Sequence, residues 1–93
     1  MRGKVFENVW DALADSPEEA AMLRMRSDVM MALADTVKSW KVTQATAARR
    51  LGITQPRLND LLRGKIGKFS LDTLLILAKR AELRVQLEIR PAA

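Results

Sequence analysis

The stretch that most limits what this chain can fold into lies between Thr43 and Gly64, where two short helices are started and stopped in quick succession. Thr43 can cap the free N–H groups of a helix that runs from Gln44 to about Leu51. Gly52 stops that helix, because a left-handed residue costs glycine nothing there. Thr54 caps the next helix, Pro56 suits its first turn, and Gly64 ends it after about Arg63. Where two such helices cross, a small residue is needed, and Ala48 supplies it. Ala47, Leu51, Ile53, Leu58, Leu61 and Leu62 are the apolar residues that lock the pair. With those turned inward, Gln55, Pro56, Asn59 and Asp60 must point outward, flanked by Arg57 and Arg63.

Similar punctuation organises the flanks. Ser16-Pro17-Glu18-Glu19 joins a capping serine, a proline for the first helical position and a glutamate that closes a capping box. The helix it opens is predicted to reach about Trp40, with Leu23, Met30, Leu33, Val37 and Trp40 as the buried stripe, widened by Met22, Met25 and Val29. Five methionines suit core filling more than an adaptable binding surface. Lys65 to Phe69 reads as a loop. Ser70 caps a further helix from Leu71 to about Ala81, with Asp72 in its first turn and Lys79 and Arg80 near its end, as the helix dipole favours. Leu83-Arg84-Val85-Gln86-Leu87-Glu88-Ile89-Arg90 alternates apolar and polar residues strictly, a strand pattern, and Pro91 halts it.

A lone strand cannot satisfy its own backbone groups. A second copy of the chain, pairing antiparallel about a two-fold axis, would bury Val85, Leu87 and Ile89 together. The alternatives are an extended tail or pairing with part of residues 4–10. Residues 1–15 hold Val5, Phe6, Val9, Trp10 and Leu13 at helical spacing, an amphipathic arm that docks either on a partner or on the chain's own long helix. The expected architecture is mainly α: a single domain over residues 1–93, with an arm (1–15), a helical core of four to five helices (16–81) and a C-terminal dimerisation strand (83–90).

Composition narrows the chemistry. The chain has no Cys, no His and no Tyr. Disulfides, thiolate zinc sites and imidazole bases are therefore excluded. No Ser, Thr, Asp, Glu or Lys stands in a nucleophile–base pattern, so no enzyme, cofactor or metal site is expected. No apolar run approaches a membrane span, and the start lacks the apolar core of a signal peptide, which makes the cytoplasm the expected compartment. The net charge of +5 is unevenly placed. Residues 1–40 hold five bases against seven acids, whereas residues 41–93 hold eleven bases against four acids. A basic half on a small domain suits a polyanion partner, although a solvated basic surface has the same composition.

The outward residues fit that partner as duplex DNA. A recognition helix offers its N-terminal residues to the major groove. There the Gln55 amide can read an adenine edge, and Arg57 can reach guanine or clamp a phosphate. Asn59 can read adenine or hold backbone, Asp60 can accept from a cytosine amino group, and Pro56 offers an apolar edge to a thymine methyl. Thr43, Gln44 and Thr54 sit at helix starts, where N–H groups favour phosphate, and Arg63, Lys65 and Lys68 follow the helix toward the neighbouring backbone. A plain helical hairpin with a solvated polar face is the competing reading.

Thr43-Gln44 through Gly64-Lys65 resembles the Cro/repressor-like helix-turn-helix family, also called XRE. Arg24-Met25-Arg26-Ser27, Thr54-Gln55-Pro56-Arg57, Arg63-Gly64-Lys65 and Phe69-Ser70-Leu71-Asp72 resemble more closely its HigA-type antitoxins, across roughly residues 20–90. The resemblance implies a cytoplasmic homodimer on a palindromic operator that represses its own promoter. It also implies an adjacent RelE-like ribonuclease toxin, neutralised by this protein. Stand-alone and phage-type repressors share the same motif. Where that family often has a larger apolar residue, this chain has Ala47, which loosens the helix crossing slightly.

Overall fold

Four capped helices and one 3-10 turn make up the computed structural model, which describes residues 16–92. Helix α1 spans Pro17–Trp40, α2 Gln44–Leu51, α3 Gln55–Leu62 and α4 Leu71–Arg80, with the 3-10 turn at Ile66–Lys68 inside the expected loop. The arm over residues 1–15 lies outside the described residues. Each helix starts on the expected cap. The Ser16, Thr43, Thr54 and Ser70 hydroxyls accept the N–H of Glu19, Thr46, Arg57 and Thr73 at 3.1, 3.1, 3.2 and 3.1 Å. Each such cap is worth about 1 kcal/mol over alanine.

Left-handed residues end all four helices: Lys41 (φ 55°) caps α1 and Gly52 (φ 72°) caps α2, while Gly64 (φ 73°) and Glu82 (φ 63°) come one residue after the caps of α3 and α4. The two glycines carry the expected signal. Lys41 and Glu82 adopt the same geometry with a Cβ, and sequence gave no sign of them. The turns reuse the last carbonyls of the helices, as Ile53 N–H donates to Ala48 O at 3.0 Å and Leu83 N–H to Ala78 O at 2.9 Å.

The core forms where α1 packs on α4 and α2 packs on α3. Met30, Leu33 and Val37 from α1 meet Ala47, Ala48 and Leu51 from α2, Leu58 and Leu61 from α3, and Leu74, Leu77 and Ala78 from α4. The small residues expected at the helix crossing are buried, with Ala47 at 1% and Ala48 at 4% exposure. Ile53, Leu62, Val29 and Trp40 pack against this cluster only in part, and Leu23 is half-buried. Met22 and Met25, expected to widen the stripe of α1, stay exposed. The core-facing stripe of α1 runs through Ala20, Met30, Leu33 and Val37, and these two methionines fall beside it. Phe69, read as a loop residue, is one of the largest fully buried side chains. It precedes the Ser70 cap, and Leu74 sits at the fourth helical position. Apolar residues at those two places staple the entry of a helix, and here both join the core.

Arg80 ties the end of α4 to the end of α2, its Nη1 donating to Leu51 O at 3.0 Å. A Cβ on Gly52 would stand 2.9 Å from that Nη1, whereas a Cβ on Gly64 would meet nothing within 4 Å. Gly64→Ala therefore carries only the left-handed backbone cost, about 1–2 kcal/mol. Gly52→Ala carries that and displaces the guanidinium as well. Thermal melts should rank the variants wild type, Gly64→Ala, Gly52→Ala, with Gly52→Ala lower by at least about 4 °C than wild type. Equal melting temperatures for the two variants would remove Arg80 from this account.

The segment expected as a strand forms neither helix nor strand among the described residues. A ladder needs a neighbour, and the helices of one copy supply none. Leu83 is anchored against the core, while Val85, Leu87 and Ile89 stand 51, 80 and 82% exposed. Pairing with residues 4–10 lies outside the described residues.

Candidate nucleic-acid interface

Gln55 and Pro56, at the start of α3, are exposed, and Asn59 and Asp60, one turn on, are half-buried. The inward face of the same helix is closed by Leu58 and Leu61, both fully buried. The polar edge of α3 is thus open at its N-terminal end and narrows toward its middle. Packing of α3 on α2 presents the capped starts of both helices from one unit, with Thr43, Gln44 and Thr54 exposed. The Thr43 hydroxyl accepts from Thr46 N–H and donates to Thr46 Oγ1 at 3.0 Å, so a phosphate there would meet backbone N–H groups.

The structure gathers the cations differently from a simple fringe. Asp60 lies between two lysines, with its carboxylate oxygens 3.6 Å from Lys65 Nζ and 3.6 Å from Lys68 Nζ. With both lysines open to solvent, these pairs contribute little to stability. They do hold two cations beside α3 and shield an anion that would otherwise repel phosphate. Arg57 is tethered too: its Nη1 donates to Lys68 O at 2.8 Å, and its guanidinium lies 4.2 Å above the centre of the Phe69 ring. Arg26 of α1 reaches the same place, donating to Phe69 O at 3.4 Å. Arg63 is exposed at the end of α3. Across residues 43–68 there are six bases and one acid, Asp60.

The arrangement is therefore two short crossed helices, the second with its polar N-terminal edge exposed and cations gathered beyond it. Residues 12–90 match the model of a family described as a helix-turn-helix domain. The chain belongs to this helix-turn-helix family. Such a domain implies DNA as the partner and suggests a DNA-binding regulator. A comparison with curated proteins gives no match.

Within this helix-turn-helix protein, Gln55 and Pro56 stand exposed as the local pattern predicts, Asn59 and Asp60 are only half-exposed, and the tether of Arg57 was not foreseen. The local pattern shows Arg57 at the helix start, with no sign that a carbonyl and a ring eleven and twelve residues on would hold it. It also missed Arg50 of α2, whose guanidinium lies 4.0 Å from the centre of the Trp40 ring and braces the turn between α1 and α2. Among the described residues, no helix is long and apolar enough to cross a membrane.

Proposed function

We propose that this protein is a sequence-specific transcription regulator that binds a palindromic operator as a homodimer, represses its own promoter, and acts in the bacterial cytoplasm on the nucleoid. The exposed N-terminal edge of α3, set in a helix-turn-helix with a basic surround, carries the reading. The domain spans residues 1–93, its core reading DNA and its C-terminal strand joining two copies through Val85, Leu87 and Ile89. Gln55, Pro56, Arg57, Asn59 and Asp60 face base edges, and Thr43, Gln44, Thr54, Arg63, Lys65 and Lys68 face phosphates. Arg57 reaches guanine by releasing the Lys68 carbonyl, and Asp60 accepts from cytosine by releasing its lysines.

Arg57→Ala should then relax base preference, losing more on the operator than on random duplex, whereas Lys65→Ala should weaken both alike. Titrating both duplexes with each variant decides the assignment. Equal losses on both duplexes for both variants would make Arg57 a structural tether only.

The resemblance to HigA-type antitoxins supports a second activity, neutralisation of a RelE-like ribonuclease through residues 1–15, with Phe6 and Trp10 as anchors. Co-expression with the product of the adjacent reading frame tests it. Capture of a small basic partner that is lost on deleting residues 1–15, with DNA binding kept, supports the antitoxin. No capture makes this a stand-alone repressor.

A further inference from the structure

The exposed C-terminal tail carries an instruction for how two copies pair. Along an extended backbone Leu83, Val85, Leu87 and Ile89 share one face, and Arg84, Gln86, Glu88 and Arg90 the other. Arg90 Nη2 donates to Glu88 Oε1 at 3.1 Å, a contact between residues two apart that an extended backbone permits. In an antiparallel pair about a two-fold axis, opposite residues share a face. Apolar residues oppose apolar ones only if the axis passes through a residue, since an axis between residues sets each apolar side chain against a polar one.

Paired length and charge then choose among the allowed axes. An axis through Val85 pairs only residues 83–87, because Glu88 and Ile89 would fall opposite the left-handed Glu82 and the helix cap Ala81. An axis through Leu87 sets Arg84 against Arg90. Axes through Arg84 or Glu88 oppose each of those residues to its own copy. Through Gln86, Arg84 opposes Glu88 twice, Leu83 opposes Ile89, Val85 opposes Leu87, and the uncharged Gln86 opposes itself. Like charges directly opposite are destabilising and opposite charges are favourable.

We propose that two copies of this chain pair their tails antiparallel in the single register centred on Gln86, with Arg84 of each copy facing Glu88 of the other. This rests on the homodimer reading above and specifies its interface. Glu88 then bridges Arg90 of its own chain and Arg84 of the second copy. An isolated two-stranded ribbon is marginal. Its apolar face needs a floor, and Leu75 and Ile76, exposed on the helix that leads into the tail, provide apolar surface for it.

The absence of native cysteine makes the register directly readable. Three single variants of the full chain, Arg84→Cys, Gln86→Cys and Glu88→Cys, are oxidised, after sedimentation of the wild-type chain has established its oligomeric state. Gln86→Cys should cross-link to a dimer, since the two sulfurs face each other within disulfide reach. Arg84→Cys and Glu88→Cys alone should not, as each lies about 13 Å from its own copy. Mixed together, those two should cross-link to a heterodimer. Arg84→Glu should weaken dimerisation roughly tenfold, and adding Glu88→Arg should restore it. A monomer at every concentration overturns the homodimer reading itself. A dimer that cross-links at 84 or 88 alone, or fails to cross-link at 86, overturns the register and leaves the homodimer standing.

Discussion

Replacing Phe69 by alanine should cost about 3–5 kcal/mol of folding stability. A domain of this length has about 5–14 kcal/mol to lose, at roughly 0.05–0.15 kcal/mol per residue. The variant should therefore lose a large share of its stability, and at the low end of that range about all of it. The ring is 1% exposed, fills the core beside Leu74, and is the platform on which Arg57 lies. Its carbonyl also accepts from Arg26 of α1, so the residue joins α1, α3 and the turn before α4. Urea denaturation should show a midpoint lowered by more than about 1 M, since the slope for a small domain is about 1–3 kcal/mol per molar. Phe69→Leu separates the two roles of the ring. It keeps apolar burial but removes the aromatic face, so it should cost far less in stability while loosening Arg57. A midpoint shift for Phe69→Ala below about 0.3 M would mean that the turn over residues 65–70 does not depend on this ring for its place.

Binding to operator DNA should weaken a thousandfold or more between 50 and 200 mM salt, as expected of a dimer that contacts about 6–10 phosphates. The cations that would release those counterions are exposed in this structure: Arg63 at the end of α3, and Lys65 and Lys68 with side chains 44 and 56% exposed. A plot of log affinity against log salt gives the number of phosphates neutralised. Each of Lys65→Ala and Lys68→Ala should lower the slope by about one for every copy bound. Asp60 adds a check, because losing either lysine leaves its carboxylate less shielded. The single variants should therefore lose slightly more affinity than counting phosphates alone implies. A slope near zero would show that the basic half of the chain meets something other than a nucleic-acid backbone.

Both predictions turn on the same short region, residues 57–69, which sequence reading divided into a helix and a loop. The structure makes it one device. Asp60 gathers Lys65 and Lys68, and Arg57 closes over Phe69 onto the Lys68 carbonyl. The cations that would face a duplex backbone are thus positioned by the helix that would read its bases. Phosphate contacts fix register and base contacts carry sequence information. Coupling their positions means that a change in one disturbs the other.

Features encoded within one helical turn are legible in the residues alone. The caps at Ser16, Thr43, Thr54 and Ser70, the stops at Gly52 and Gly64, and the inward set Ala47, Ala48, Leu51, Leu58 and Leu61 depend on contacts three or four residues apart. They are written in residue types at fixed spacing, and so was the outward edge at Gln55 and Pro56. Packing between distant segments makes Phe69 core, leaves Met22 and Met25 outside it, and sets Arg80 on Leu51 and Arg57 on Lys68. Those contacts join segments brought together by chain reversal, including left-handed turns at Lys41 and Glu82 that carry no glycine. A long, flexible arginine takes its partner from whatever the fold places within reach, which no local pattern records. The tail shows the same division: alternation fixes which residues share a face, but a strand exists only when a second backbone lies beside it.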